Sequence, residues 1–593
     1  MNRVLLRSRL AKSLVALIVV LVILIVIWVI INRPSQPEPP EGLALNCEDI
    51  VERDTSQESQ ATPFFFRDQV ILSGSPAAVA SSVRLLEDEY GIQLTALTEC
   101  TITFPRQLPN LYEARPFPLQ TSREAEQMAL PFYDQQTGNF ILQNDLAMNL
   151  YQFAGEVASQ EIFESLNDLK TTDPELQMVY ADPNYLVGDM AKSPCGNPFG
   201  VEGSPFGVEG SPFGVEGSPD GGAGIPAQPG AFWKQWAFER IQLQELNNHR
   251  VDQTGKDVWV GIFDTSPYQL GPGNKVATIT ETEIAPLMEI VVHHAFELPQ
   301  LSVSNSITNP IDVKDHGLFV ASLVHAVAPD SGIHLYRVLN DWGCGDLFTL
   351  NVSMLDFAAQ VLGENGLRQR AVINLSLGIQ KPRELPTDPQ ERKSAEAEIE
   401  RLGEDVRAAY ELIQIEKSIE SLELVTHIAY RAGIVVVAAA GNDSVPDHPP
   451  LPMELPAAYP FVLGIAASGP DDGPACYSNQ GDVVAPGADA MRGKDSESNP
   501  ICLPLAKKCP SLDSSEDPGH CDYGVVGLNS SSGYSYWVGT SFATPLASGL
   551  GALIYEKTGS PAVVYQDITT KVGSIPDPRY GSGIIRVVDA LQP

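Results

Sequence analysis

Four short apolar runs, largely β-branched, dictate what the C-terminal part of this chain can become: residues 258–263, 372–377, 434–440 and 462–466. Apolar residues fall on consecutive positions rather than alternating ones, so both faces of each strand must be covered. Helical patterns separate the runs. Together they predict an α/β domain from about residue 233, a parallel sheet flanked by helices. In open sheets of this kind functional residues gather beyond the carboxyl ends of the strands. Candidate site residues are therefore sought there.

The N-terminal part reads differently. Residues 14–31 carry no charge and are apolar throughout, while Arg3, Arg7, Arg9 and Lys12 precede them. Eighteen residues at about 1.5 Å each give about 27 Å, close to the hydrocarbon thickness of a bilayer. The positive-inside rule keeps the short basic end cytoplasmic and sends the remaining chain outward. An uncleaved anchor fits better than a signal peptide, whose apolar stretch is usually shorter. This predicts a single-pass membrane protein with its large C-terminal domain extracytoplasmic. Residues 1–33 then form tail and transmembrane anchor, and 34–65 a Pro-rich spacer. Over 66–190, strand–helix–strand patterns occur twice, as in a small ferredoxin-like α+β domain with an insertion at about 98–147. The repeated Ser-Pro-Phe-Gly-Val-Glu-Gly within 191–232 reads as a flexible linker, open to proteolytic nicking that would release the C-terminal domain. The domain 233–593 carries two apparent insertions. One, at about 381–425 within a charge-dense stretch running to about 430, reads as solvated helix. The other, at about 487–535, reads as a Cys-, Ser- and Gly-rich loop.

Composition excludes some functions. A net charge of −36 lacks the basic footprint of a nucleic-acid binder. Eight cysteines lie beyond the anchor, and outside the cytoplasm disulfides are their default state. The pairing stays open, with Cys502–Cys509 as one plausible local loop. No Cys-x-x-Cys pair supports zinc.

Four residues could carry chemistry. Asp264 directly follows the first apolar run, where a carboxylate can orient a histidine; an ordinary strand-end aspartate looks the same. His316 opens a helical pattern through Phe319, Val320, Leu323, Val324 and Val327. There the helix dipole disfavours the imidazolium, so a charged His316 needs a partner carboxylate. It could equally be a capping or core histidine. His293 and His294 are rival bases with no comparable helix behind them. Asn442 ends the third run and could donate to an oxyanion or simply make a turn. Ser541 precedes a nearly uncharged stretch that reads as a helix buried on all sides. Pro545 is expected in its first turn, so the helix should begin near Ser541. A serine there has its own N–H and the helix dipole available to an oxyanion.

In this order, Asp264 in Phe-Asp-Thr-Ser, His316 in Asp-His-Gly-Leu-Phe-Val-Ala, Asn442 in Ala-Ala-Gly-Asn and Ser541 in Gly-Thr-Ser-Phe-Ala-Thr-Pro resemble the subtilisin-like (subtilase) serine proteases over about 233–590. The resemblance implies a serine endopeptidase with an Asp264/His316/Ser541 triad and an oxyanion hole at Asn442. It also implies substrate-binding strands at Gly343, Cys344 and Gly345 and at Ser376, Leu377 and Gly378. The region 66–190 then looks like the family's propeptide, an intramolecular inhibitor that makes the chain a self-inhibited zymogen. Protein or peptide substrates are implied as partners. The chemistry requires no metal or cofactor; structural calcium is common in the family, but no loop here carries a clear calcium motif. Three positions depart from the family pattern: Ser266 for Gly, Phe319 for a second His, and Leu546 for the His after Thr-Pro. The alternative function is a catalytically silent binding or scaffolding protein.

Overall fold

The N-terminal unit forms around two helices whose ends are written in the sequence. Strand β2 (Phe65–Gly74) leads into helix α1 (Pro76–Tyr90). The Ser75 side chain accepts from the Ala78 N–H, Pro76 opens the helix and Gly91 closes it at φ +71°. Ala78, Val79, Ser82 and Leu86 form its buried face. Strand β3 (Leu94–Thr103), strand β4 (Asp145–Phe153), helix α2 (Ser159–Thr172) and strand β5 (Tyr180–Asp189) complete a βαββαβ order. Strand β1 (Ala44–Asp49) falls within the expected spacer 34–65 but belongs to this unit, because it pairs with β3, and the sheet runs β1-β3-β4-β2-β5. The Cys47–Cys100 disulfide joins β1 to β3. Strand β3 extends to Thr103, so the interruption of this unit starts later than residue 98.

The computed structural model describes, with gaps, residues 44–49, 65–103, 133–134, 139–140, 145–189, 225–268, 275–293, 313–379, 419–503 and 524–592. The apolar run 14–31, the spacer up to residue 43, the Gly/Pro repeat and most of 381–418 lie outside the described residues. No helix among the described residues is long and apolar enough to cross a membrane.

The second unit is a ten-stranded sheet. It takes up β6 (Val258–Asp264), β7 (Lys275–Ile279) and β8 (Met288–His293), followed by helix α3 (His316–Val327) and β9 (Gly332–Arg337). Strand β10 (Cys344–Asp346) and helix α4 (Leu347–Leu362) come next, then β11 (Arg370–Leu375) and β12 (Leu377–Ile379). Helix α5 (Glu420–Arg431), β13 (Ile434–Ala439), β14 (Val462–Ser468) and β15 (Val483–Pro486) come after them. The order is β7-β8-β9-β6-β11-β13-β14-β15, closed by Ile584–Ile585 and Val572–Gly573. From β8 to β15 every pairing is parallel. Alternate residues of β13 serve different cores. Val435 and Val437 pack on the side of α3, while Ile434, Val436 and Ala438 pack on the side of α4 and α5. That two-sided burial is why the strand is continuously apolar. Each buried Val or Ile contributes about 1.5–3 kcal/mol, so Val436→Asp would break the sheet at its centre.

Three sequence expectations are corrected. Residues 420–431 are not solvated: Ser421 through Arg431 are all buried, because α5 packs between the second sheet and β5. The loop region 487–535 contains two strand pairs. Met491–Lys494 pairs with Pro500–Leu503, and β16 (Val525–Asn529) with β17 (Gly533–Trp537). Cys502 bonds to Cys476 rather than to Cys509, because the strand carrying it lies against the core that holds Cys476.

The two units share an edge. Strand β5 pairs antiparallel with β10 on one side and β12 on the other. Its side chains also terminate two helices of the second unit. Asp182 accepts from the Glu420 and Ser421 N–H groups at 3.0 and 2.7 Å, and Asn184 accepts from Phe348 N–H at 3.1 Å. These are donors that α5 and α4 leave unused in their first turns.

Candidate active site

Asp264 is the last residue of β6, in the middle of the sheet, and His316 is the first residue of α3. The imidazole Nδ1 lies 2.7 Å from Asp264 Oδ1, and both side chains are fully buried. The same oxygen accepts the Thr265 N–H at 2.7 Å. A carboxylate only accepts, so Nδ1 carries the proton and Nε2 is left as the basic nitrogen. Gly317 makes this approach possible. A Cβ there would lie 2.2 Å from the Thr265 carbonyl oxygen and 2.9 Å from Asp264 Cβ. The Asp-His-Gly motif thus has a steric cause: only glycine lets the start of α3 rest on the end of β6.

Ser541 is the second residue of helix α6 (Thr540–Thr558), which is buried from Thr540 through Tyr555. Pro545 does not sit in the first turn as expected but inside the helix. Proline lacks the N–H that would bond the Ser541 carbonyl. Ser376 Oγ replaces it, donating to that carbonyl at 2.8 Å, while Ser541 Oγ bonds the Ser376 carbonyl at 3.3 Å. The end of β11 and the start of α6 are therefore locked together at the candidate nucleophile.

Asn442 follows β13. Its Oδ1 accepts both the N–H and the hydroxyl of Thr540, each at 2.9 Å. A backbone N–H can only donate, so the amide is oriented with its NH₂ turned away from Thr540. The Gly441 N–H in turn donates to Thr540 Oγ1 at 3.3 Å.

An aromatic cluster joins these parts. The Phe542 ring lies 5.2 Å from the His316 imidazole, and the Trp537 ring lies 5.6 Å from it. Nothing in the sequence pattern singled out Trp537. It stands four residues before Ser541, a spacing that has meaning only once the turn between β17 and α6 is formed.

The other predicted positions fall beside this centre. Gly345 lies in β10 and Gly343 just before it, at φ +74°. A Cβ on Gly345 would lie 2.1 Å from the Val338 carbonyl oxygen. Leu377 and Gly378 lie in β12, one residue beyond Ser376. Between these strands runs the end of β5, with Gly188 opposite both Cys344 and Gly378, and Asp189 opposite Leu377. His293 is elsewhere: it ends β8, where its Nε2 lies 2.9 Å from His334 Nδ1. Burial pushes His293 down to about 3, helped by His334, and His334 down to about 4. A base held neutral away from the serine is no rival to His316. Cys344 is disulfide-bonded. Among the described residues no group of three or more His, Cys, Asp or Glu side chains is placed to hold a metal.

Residues 290–583 match the model of the Subtilase family. The match takes in His316, Asn442 and Ser541 and begins after Asp264. A subtilisin-like protease of Arthroderma otae, Subtilisin-like protease 5, is 25% identical over 44% of this chain and 48% of its own length. A subtilisin-like protease of Coccidioides posadasii is 28% identical over 30% of this chain and 37% of its own. Subtilisin DY of Bacillus licheniformis is 27% identical over 47% of this chain and 79% of its own. The chain thus spans about half or less of the two fungal relatives.

Proposed function

Since residues 290–583 are a subtilase domain, we propose that this chain is a serine endopeptidase made as a self-inhibited zymogen. The observation that carries the reading is the 2.7 Å bond between buried Asp264 and His316, with His316 packed on Phe542 in the helix whose second residue is Ser541. In this mechanism His316 Nε2 takes the Ser541 proton as the hydroxyl attacks a peptide carbonyl, then returns it to the leaving amine. Asp264 fixes the tautomer and stabilises the transient imidazolium. The Ser541 N–H and the Asn442 NH₂ hold the oxyanion. Substrate enters as a third strand between β10 and β12, so the main chain supplies affinity and alternate side chains supply specificity. The reading needs no metal or cofactor.

The zymogen part is supported by β5 pairing with both strands of that slot. Strand β5 ends at Asp189 opposite Leu377 of β12, so self-processing is assigned to the chain that follows it, near 190–232. The anchor at 14–31 and an extracytoplasmic catalytic domain complete the proposal, and the Cys47–Cys100 and Cys476–Cys502 disulfides favour an oxidising compartment.

N-terminal sequencing of the purified chain and of Ser541→Ala tests both parts. The wild type should yield a C-terminal fragment that begins near 190–232, and the variant should stay intact. Identical fragments from both would rule out self-processing.

A further inference from the structure

Phe319 departs from the family pattern, and the triad mechanism gives it no role. It lies one turn beyond His316 on α3, on the same face. Its ring stacks on Trp537 at 5.2 Å and 6°, and Phe542 closes the cluster at 4.6 Å from Phe319 and 5.5 Å from Trp537. The backbone is shaped to admit it: a Cβ on Gly527 of β16 would lie 2.5 Å from the Phe319 ring. Trp537 in turn lays its ring on the His316 imidazole at 5.6 Å and 28°. All three aromatics are essentially without solvent exposure.

A buried imidazole that must become a cation needs something to replace water. Asp264 serves the Nδ1 edge. The indole face, rich in π-electrons, serves the ring plane and attracts a cation within about 6 Å of its centroid. We propose that Trp537, propped by Phe319, is a positioning residue for His316: it holds the imidazole plane and stabilises the imidazolium formed when His316 takes the Ser541 proton. The inference rests on the serine-protease reading and adds a residue to it. The titratable groups around His316 are Asp264 on β6 and the neighbouring Asp315 that precedes α3. From β17 and α6 it is faced by Trp537 and Phe542.

Two effects of Trp537 oppose each other. Its bulk excludes water, which disfavours the imidazolium, whereas its π-face favours it. An aliphatic replacement removes the π-face and part of the bulk; the first loss lowers the His316 midpoint and the second raises it, so the sign of the shift separates them. The test is the rate at which a fluorophosphonate labels Ser541 between pH 4.5 and 8. It is read on self-processed wild type, Trp537→Phe, Trp537→Leu and Trp537→Met, with folded fractions checked by thermal unfolding. The acid-side midpoint reports deprotonation of His316 and requires no known substrate.

In Trp537→Leu the midpoint should fall by about half a unit to one unit, the size of a cation–π contact, and the plateau rate by about 3–10-fold. Trp537→Phe should restore most of both. Trp537→Met fills the slot with an unbranched chain and should match Leu, which keeps the test decisive if the Leu variant folds poorly. An unchanged midpoint with a lowered plateau would reduce Trp537 to packing, and a raised midpoint would make water exclusion its main effect; either overturns the inference. Wild type that never labels would overturn the protease reading itself.

Discussion

Raising the pH is expected to loosen the grip of β5 and its unit on the subtilase domain. Asp182 of β5, fully buried, meets Glu420 and Glu423 of α5 at the junction of the two units. Burial, then the charge of Asp182, pushes Glu420 up to about 8 and Glu423 up to about 7. Burial shifts Asp182 upward as well. Lys170 of α2 offsets part of the effect on Glu420, and Tyr180 and Tyr459 share the pocket. Undocking would hydrate these carboxyls and return them towards the ordinary value of about 4.3. Docked values above undocked ones mean that the docked form binds the extra protons. Docking is therefore strongest below about pH 4 and weakens as the pH climbs towards 7–8.

Two extra protons over two pH units set a ceiling of about 5 kcal/mol at 1.36 kcal/mol per unit. Helix α5 stays packed on its own domain after undocking, so roughly half of that, about 2–3 kcal/mol between pH 5 and 7, is expected. Hydrogen exchange of residues 180–189 in full-length Ser541→Ala, corrected for the intrinsic pH dependence of exchange, reads the opening free energy. It should fall by that amount from pH 5 to 7, and Glu420→Gln/Glu423→Gln should flatten the trend. An opening free energy that is constant or rises over this interval would refute the reasoning.

Other expectations rest on single contacts. Gly317→Ala should lower turnover by about 100-fold with little change in substrate affinity, since the Cβ pushes His316 off Asp264; steady-state kinetics on a peptide ester checks it. Asn442→Ala should cost about 10²–10³ in kcat, the loss known for one oxyanion donor in a subtilisin. It should also lower the thermal midpoint, because Thr540 loses the acceptor of two hydrogen bonds. The neutral His293–His334 pair should make the second unit acid-sensitive. Both pKa values lie below the unfolded value of about 6.5, so the unfolded chain binds more protons and stability falls from about pH 6.5 towards 4. A calorimetric series on the wild type and His334→Phe should show the loss in the former and a flatter profile in the latter.

How legible each element was in the sequence depends on its physics. Strands buried on both faces leave unbroken apolar runs, so β6, β11, β13 and β14 were legible. Strands β8 and β9 were not: Glu289, His293 and His334 interrupt them, and the two histidines are buried only because they bond each other across the sheet. The charge of α5 suggested a solvated helix, since Glu420 and Glu423 find their surroundings in β5, more than two hundred residues away. The four candidate site residues stood out through local motifs. Their supports did not, because Ser376 capping the carbonyl left open by Pro545, and Trp537 on His316, exist only after the sheet has formed. The depth of Pro545 inside α6 is not legible either, because the sequence does not say that its missing hydrogen bond is replaced.

The central claim is that His316, held by Asp264, makes Ser541 a nucleophile. Its most direct test is peptide mapping after fluorophosphonate treatment of the self-processed chain, beside His316→Ala and Asp264→Asn. A single adduct on Ser541 is expected in the wild type, with labelling slowed by at least about 10³-fold in both variants. An adduct on another residue, or equal labelling of Ser541 in all three proteins, would contradict it.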